Sequence, residues 1–215
     1  AVGGSPTEAW VDRASLEYQF PAILKDWTKN DFIQEWVRGR AALNIKKSAN
    51  SQQRHPYEPC YLYESGIRPL EQYPIRGVIW YQGESNISNY QFYAPMMTAM
   101  VQLWRNVWEA PDMPFYYVQI APHKYKDSRD TGAALLREAQ MEALKTIPNS
   151  GMVPTTDIGD EFCIHPPQKD VVGLRLATLA LTKTYGLHKF PSTGPMMTKV
   201  EYSKNKAIVL SLIHI

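Results

Sequence analysis

Short apolar runs that end in small polar residues recur along this chain and predict the strands of a parallel sheet. The clearest run is Val78-Ile79-Trp80-Tyr81, which stops at Gln82-Gly83-Glu84-Ser85-Asn86. Strands buried on both faces of a parallel sheet are near-continuous apolar runs, and ligands bind beyond their carboxyl ends. We therefore predict a strand at 78–81 that delivers amide, carboxylate and hydroxyl groups to an active-site edge.

Residues 114–120 and 152–156 predict two further strands by the same pattern. Helices are predicted around 31–45, 93–107, 133–146 and 169–185, where apolar residues recur at helical spacing. Strands that alternate with helices favour an α/β fold with a parallel sheet covered on both faces. From Val200 to Leu210 the pattern changes to alternation, so we predict an α/β domain over 1–187 and the start of a β-rich region over 191–215.

Ser5-Pro6-Thr7-Glu8 has the composition of a helix N-terminus. Ser5 suits the N-cap, Pro6 the first helical position, and Glu8 the third position of a capping box. Residues 1–4 read as the end of a strand, with Gly3 and Gly4 making the turn into the helix. Because the chain also halts inside an apparent strand, in residues that resemble adapter-derived sequence, we expect it to be incomplete at both ends. Residues 46–69 read as a long irregular loop.

Composition narrows the classes of function. The net charge is +2 with basic and acidic residues interspersed, so no basic face argues for nucleic acid. No apolar run approaches the ~20 residues of a membrane span. Cys60 and Cys163 lack a CxxC spacing, so we expect no metal and no cofactor.

His165 is the candidate general base. It lies in the loop after the last predicted strand of the parallel sheet and is followed by Pro166 and Pro167. An imidazole with an ordinary pKa near ~6.5 suits proton transfer at neutral pH. Asp157 and Asp160 either orient this ring, as the acid of a Ser-His-Asp triad does, or shape the turn around them. The alternative for His165 is an exposed loop histidine.

Gly3 and Gly4 are candidate oxyanion-hole residues, since a helix N-terminus after two glycines offers backbone N–H groups. Gln82 could add a side-chain amide, and Gly83 a backbone N–H. Simple turn geometry is the alternative for the glycines. Glu84 is either a hydrogen-bonding member of the site or a charge at a helix N-terminus.

Ser85 and Ser5 are the two candidate nucleophiles, and neither matches the sequence pattern of a nucleophilic serine. Ser85 lies in Gly-Glu-Ser-Asn, but a nucleophile elbow requires glycine two residues later, where Ile87 stands. The capping box already explains Ser5. We therefore place Ser85 and Asn86 in the hydrogen-bond network of the site.

Four segments together resemble the sialate O-acetylesterases of the SGNH hydrolase superfamily. They are residues 1–10, residues 77–86, Leu136-Arg-Glu-Ala-Gln140, and Asp157-Ile-Gly-Asp with Ile164-His-Pro. The resemblance implies a three-layer αβα sandwich with flavodoxin-like strand order. It further implies metal-free serine hydrolysis of acetyl esters on sugars, and a periplasmic or extracellular location. It assigns the oxyanion glycine to Gly3 or Gly4, the third conserved block to Gln82-Gly83-Glu84, and the catalytic histidine to His165.

The chain departs from that family pattern at two points. The block that carries the nucleophilic serine is absent, so we expect the nucleophile before Ala1 and expect this stretch alone to be inactive. The usual acid, three residues before the histidine, is Phe162 here, which leaves a Ser-His dyad or help from Asp157 or Asp160. An esterase of acetyl-xylan or another hemicellulose, and a non-catalytic sugar-binding module, are the alternative functions.

Overall fold

The computed structural model describes residues 2–50, 52–125, 131–189 and 191–212. The chain divides into two compact units, Ala1–Pro166 and Pro167–Ile215. This division lies earlier than the predicted boundary between residues 187 and 191, because the last helix groups with the segment that follows it.

The first unit contains a parallel sheet of three strands in the order β1-β2-β3. The strands are β1 (Val78–Trp80), β2 (Phe115–Val118) and β3 (Ser150–Val153). Val78 pairs with Phe115 and Phe115 with Ser150, all in parallel register. The predicted α/β class with a parallel sheet is confirmed. Since the strands are neighbours and parallel, the loops after their carboxyl ends leave the sheet at one edge.

The described part of the first unit also contains five α-helices and four 3₁₀ or π-helical segments. The α-helices are α1 (Arg13–Gln19), α2 (Pro21–Leu24), α3 (Glu35–Lys46), α4 (Tyr93–Val107) and α5 (Gly132–Thr146). Short 3₁₀ helices span Thr7–Trp10, Arg68–Leu70 and Glu84–Phe92, and a π-helical turn spans Tyr63–Ile67. The π-helical turn lies inside the predicted irregular loop 46–69.

Tryptophan side chains join the N-terminal segment to β1 and α4. The ring of Trp80 lies 5.3 Å from that of Trp10 and 5.7 Å from that of Trp104, both edge to face. The indole Nε1 of Trp104 also donates to the backbone oxygen of Trp10 at 3.1 Å. Aromatic burial of this kind contributes both apolar area and oriented ring contacts. The residues before Trp10 are thereby fixed beside the end of β1.

The second unit consists of α6 (Lys169–Lys183) and an antiparallel hairpin, β4 (Met196–Ser203) with β5 (Lys206–Leu212). Gly186 follows α6 with φ of +70°, a value that favours glycine. The hairpin agrees with the alternation that predicts a β-rich segment. None of the described helices has the length and apolarity needed to cross a membrane.

Candidate active site

The N-terminal segment folds differently from the predicted capping box. Thr7–Trp10 is a 3₁₀ helix, and Pro6, not Ser5, occupies the N-cap. The Ser5 hydroxyl donates to the backbone oxygen of Val2 and accepts from Trp10 Nε1, at 3.1 and 2.9 Å. Val2 is not in a strand, and Gly3 and Gly4 form a turn. The prediction of a capped α-helix was wrong, because the Ser5 hydroxyl is engaged by Val2 and Trp10 instead of capping the helix.

The turn at Gly3 and Gly4 is held from two sides. The Tyr57 hydroxyl donates to the backbone oxygen of Gly3 at 2.9 Å, and the Ser85 hydroxyl donates to that of Gly4 at 2.8 Å. Gly4 has φ of +73°, and a Cβ there would overlap the Tyr57 hydroxyl and lie 3.2 Å from the Trp36 ring. Both the backbone conformation and the close contact therefore require glycine at this position.

Gln82 joins the end of β1 to this turn. Its Nε2 donates to the backbone oxygen of Ser5 at 3.1 Å and to Asn86 Oδ1 at 2.7 Å, while its Oε1 accepts from the Thr7 hydroxyl at 2.9 Å. The side chain is 9% exposed. An amide has two N–H groups, and both face this network. Gln82 is thus at the predicted edge, with its amide hydrogens already engaged.

Asn86 is the centre of the network. Its Oδ1 accepts from the backbone N–H of Thr7 at 3.0 Å, and its Nδ2 donates to Glu8 Oε2 at 2.9 Å. Burial raises the pKa of the Glu8 carboxyl from 4.5 to about 7. Glu8, which the sequence places at the third position of a capping box, is 1% exposed. Polar groups from residues 3–8 and 82–86 therefore form one buried hydrogen-bonded cluster.

Gln140 and Tyr93 fix this cluster to the sheet, and sequence reasoning gave neither a role. Gln140 is fully buried; its Oε1 accepts from the backbone N–H of Ile120 at 2.9 Å, and its Nε2 donates to the backbone oxygen of Gln82 at 3.3 Å. The Tyr93 hydroxyl donates to the same oxygen at 3.1 Å. The sequence does contain an indication for Gln140: it is the one polar residue on the buried face of α5, which consists of Ala133, Leu136, Gln140 and Ala143.

Gly83 and Glu84 lie where the chain passes from β1 into the next helix. A Cβ on Gly83 would lie 2.5 Å from Ile120 Cγ2 and 3.2 Å from Gln140 Nε2, so this glycine allows a close approach to α5. Glu84 is half-buried in the first turn of the Glu84–Phe92 helix. An acidic side chain at that position is favourable toward the helix dipole.

The loops after β2 and β3 are joined to each other. Lys124 donates through its backbone N–H to the Glu161 oxygen at 3.1 Å, and its Nζ lies 2.6 Å from the Glu161 carboxylate. Together the loops enclose a cleft of roughly 350 Å³, whose polar lining consists of His123, Lys124, Thr156, Asp157, Asp160 and Glu161. His123 has no predicted role, and its position at the cleft follows only from the pairing of the two loops.

His165 lies beyond this cleft lining, in an exposed stretch. Its ring forms no hydrogen bond with any described residue, whereas its backbone oxygen accepts from the Cys163 thiol at 3.2 Å. Asp160 Oδ1 accepts from the backbone N–H groups of Phe162 and Cys163 at 2.7 and 2.8 Å. Asp160 therefore shapes the turn, which is the second of the two roles predicted for it. The exposed Asp157 lines the cleft.

Gly3, Gly4, Gln82, Ser85 and Asn86 are thus brought together at the end of β1. Within the described ranges, no hydrogen bond connects His165 to that cluster. In the same ranges no group of three His, Cys, Asp or Glu side chains is placed to hold a metal ion. Both cysteines are free thiols, Cys60 buried and Cys163 exposed.

Comparison with known families identifies the chain. The family model described as carbohydrate esterase, sialic acid-specific acetylesterase, matches residues 30–182. Because this match spans more than half of the sequence, the chain belongs to that family of carbohydrate esterases.

Individual relatives are sialate O-acetylesterases. The human protein is 28% identical over 217 residues, which cover 91% of this chain, and the rat protein is 27% identical over 227 residues, which cover 93%. The chain spans 41% of the length of each. The crystal structure of a carbohydrate acetylesterase from Xanthomonas citri superimposes with a TM-score of 0.75 at 31% identity, over 98% of this chain and 42% of that one.

Proposed function

We propose that the protein is a carbohydrate O-acetylesterase that removes acetyl groups from a sugar by serine-type acyl transfer. The observation that carries this proposal is the buried cluster that fixes the glycine turn at residues 3–4 against Gln82, Ser85 and Asn86 at the carboxyl end of β1. Acyl transfer depends on preorganised donors at the developing oxyanion. A rigid glycine turn at the ligand-binding edge of a parallel sheet meets that requirement.

In this proposal the nucleophilic serine lies outside residues 1–215. Ser5 and Ser85 are each 3% exposed, and each hydroxyl donates to a backbone oxygen, that of Val2 and that of Gly4 respectively. A nucleophilic hydroxyl instead needs a general base as its hydrogen-bond partner. The relatives are more than twice as long as this chain, so such a serine has room elsewhere in the protein.

His165 takes the proton from that serine and gives it to the sugar oxygen as the acetyl group passes to the serine; it then takes a proton from water, which attacks the acetyl-serine and releases acetate. Asp160 shapes the turn that carries His165, so the site is either a Ser-His dyad or a triad in which Asp157 turns toward the ring when substrate binds. Backbone N–H groups of Gly3, Gly4 and Gly83 stabilise the oxyanion, while Gln82, whose two amide hydrogens face Ser5 and Asn86, supports the turn.

The test is hydrolysis of acetylated sugars by the full-length protein and its His165→Ala variant. We expect acetate release from O-acetylated sialic acid or from acetyl-xylan, and a loss of kcat on the order of a thousandfold in the variant. His188→Ala, in an exposed stretch of the second unit, is the matched control and should retain full activity. Near-normal turnover by His165→Ala would remove the base assignment. The preferred acetylated sugar identifies the substrate, sialic acid or hemicellulose.

A non-catalytic sugar-binding module is the second candidate function. The exposed His165 ring, which has no hydrogen-bond partner among the described residues, and the Asp160 side chain, which is engaged in a turn, favour it. Binding of an acetylated sugar without any acetate release by the full-length protein would select this function. Export to the periplasm or the extracellular space is also proposed, and fractionation of the native host tests it.

A further inference from the structure

Glu8 is a buried carboxyl group whose one side-chain hydrogen-bond partner is Asn86. Its Oε2 accepts from Asn86 Nδ2 at 2.9 Å, and its Oε1 has no partner among the described residues. The side chain is 1% exposed, and no Lys or Arg of the described residues forms an ion pair with it. Burying an ionisable group with so few partners costs stability, and an apolar residue of similar size would avoid that cost. Groups retained at such a cost concentrate at functional sites.

The contacts of Glu8 lead directly to the glycine turn. Because a carboxyl oxygen accepts from Asn86 Nδ2, the Asn86 oxygen faces the opposite way, toward the backbone N–H of Thr7 and toward Gln82 Nε2. Gln82 Nε2 in turn donates its second hydrogen to the backbone oxygen of Ser5 at 3.1 Å. Glu8 thus orients two successive side-chain amides, and the second of them holds the residue that follows Gly4.

We propose that Glu8 is a positioning residue of the acyl-transfer site, which holds the glycine turn in place through Asn86 and Gln82. The inference rests on the proposed function, since the turn supplies the oxyanion donors in that mechanism. Glu8 does not touch the reacting atoms. Its effect is confined to the placement of backbone N–H groups, and a misplacement of about 1 Å is enough to lower the rate by on the order of a hundredfold.

The test compares Glu8→Gln, Glu8→Ala, Gln82→Ala and the double variant of the two alanine substitutions in the full-length protein. Glu8→Gln keeps an oxygen acceptor for Asn86, so we expect kcat within about threefold of the unsubstituted protein. Glu8→Ala removes the acceptor and should lower kcat by more than about tenfold, with KM within about twofold. The double variant should resemble Gln82→Ala, because residues that act through one another are not additive. Unchanged kcat in Glu8→Ala, or a double variant that loses the product of the two single effects, would overturn the proposal.

Two further measurements keep the outcome interpretable. If Glu8→Ala does not fold, Glu8→Asp replaces it, because the shorter side chain withdraws the acceptor from Asn86 while remaining polar. Amide hydrogen exchange of residues 3–5 and 7 reports on the turn without any substrate. Faster exchange in Glu8→Ala but not in Glu8→Gln supports the positioning role even if the unsubstituted protein hydrolyses no acetyl ester, a result that would refute the proposed function alone. Equal exchange in all variants refutes the positioning role.

Discussion

The hydroxyl of Ser85 donates a 2.8 Å hydrogen bond to the backbone oxygen of Gly4, across 81 positions of the sequence. Ser85 belongs to the helix that follows β1, and Gly4 belongs to the turn that precedes the first 3₁₀ helix. The bond therefore ties the proposed oxyanion donors to the sheet. It also directs the serine hydroxyl at a carbonyl oxygen and away from any base, which distinguishes a structural serine from a nucleophile.

Ser85→Ala should leave substantial activity. We expect kcat to fall by less than about tenfold and the free energy of unfolding to fall by about 1–2 kcal/mol, because one buried hydrogen bond is lost. Kinetic assays and urea unfolding of the full-length protein measure both quantities. Ser88→Ala, an exposed serine of the same helix, is the control and should change neither. Complete loss of turnover in a folded Ser85→Ala protein would instead identify Ser85 as the nucleophile.

Gln82→Ala should lower kcat on the order of a hundredfold, because it removes the side chain that holds the backbone oxygen of Ser5. Gln119→Ala is the matched control, since Gln119 is also a buried glutamine after a strand, and its Nε2 donates to the backbone oxygen of Arg137. Both variants should lose stability, as each leaves a carbonyl without its donor. An equal effect on kcat in the two variants would show that Gln82 has no special place in the site.

Gly83→Ala should destabilise the protein by about 1–3 kcal/mol, because the added methyl group meets Ile120 and Gln140 in a packed core. Gly39→Ala provides a control of opposite sign. Gly39 lies in α3, and a Cβ there has no atom within 4 Å, so alanine should stabilise the protein by about 0.4–1 kcal/mol. Thermal and urea unfolding of both variants test the pair. A Gly83→Ala protein as stable as the parent would contradict the close approach.

The buried Glu8 predicts that stability depends on pH. Since the folded-state pKa is raised from 4.5 to about 7, the folded protein holds this proton more tightly than the unfolded chain does. The contribution of this proton to the free energy of unfolding is complete below pH 4.5. It falls as the pH rises to about 7 and is lost above that, a total decrease of about 3 kcal/mol. Unfolding of the parent and of Glu8→Gln between pH 4.5 and 8 isolates the effect, because other groups cancel in the difference. A difference that is independent of pH would contradict the raised pKa.

The sequence predicted the sheet and much of the site from local pattern. The apolar runs at 78–81, 114–120 and 152–156 correspond to β1, β2 and β3, displaced by up to three residues. Gln82, Ser85 and Asn86 were assigned to the site because they follow an apolar run. Neighbouring parallel strands place their following loops together, which is a property of the fold class and needs no knowledge of side-chain contacts.

Long-range partners explain what the sequence could not predict. Glu8 fits a capping box by spacing alone, but its partner Asn86 is 78 positions away. The cleft beside His123 depends on the pairing of Lys124 with Glu161, 37 positions apart. The carboxylate of Asp160 could orient the histidine or close a turn, and the sequence is the same in both cases. The structure shows the turn.

The bonds from Gln82, Ser85 and Asn86 to the N-terminal residues bridge 75 to 81 positions of chain. Closing a segment of that size is entropically costly, and contacts between remote residues slow folding. We therefore expect residues 2–10 to join the fold late, after α4 and the strands have consolidated. Until then the glycine turn and the end of β1 would be unassembled, and the segment that carries the turn would be open to proteolysis.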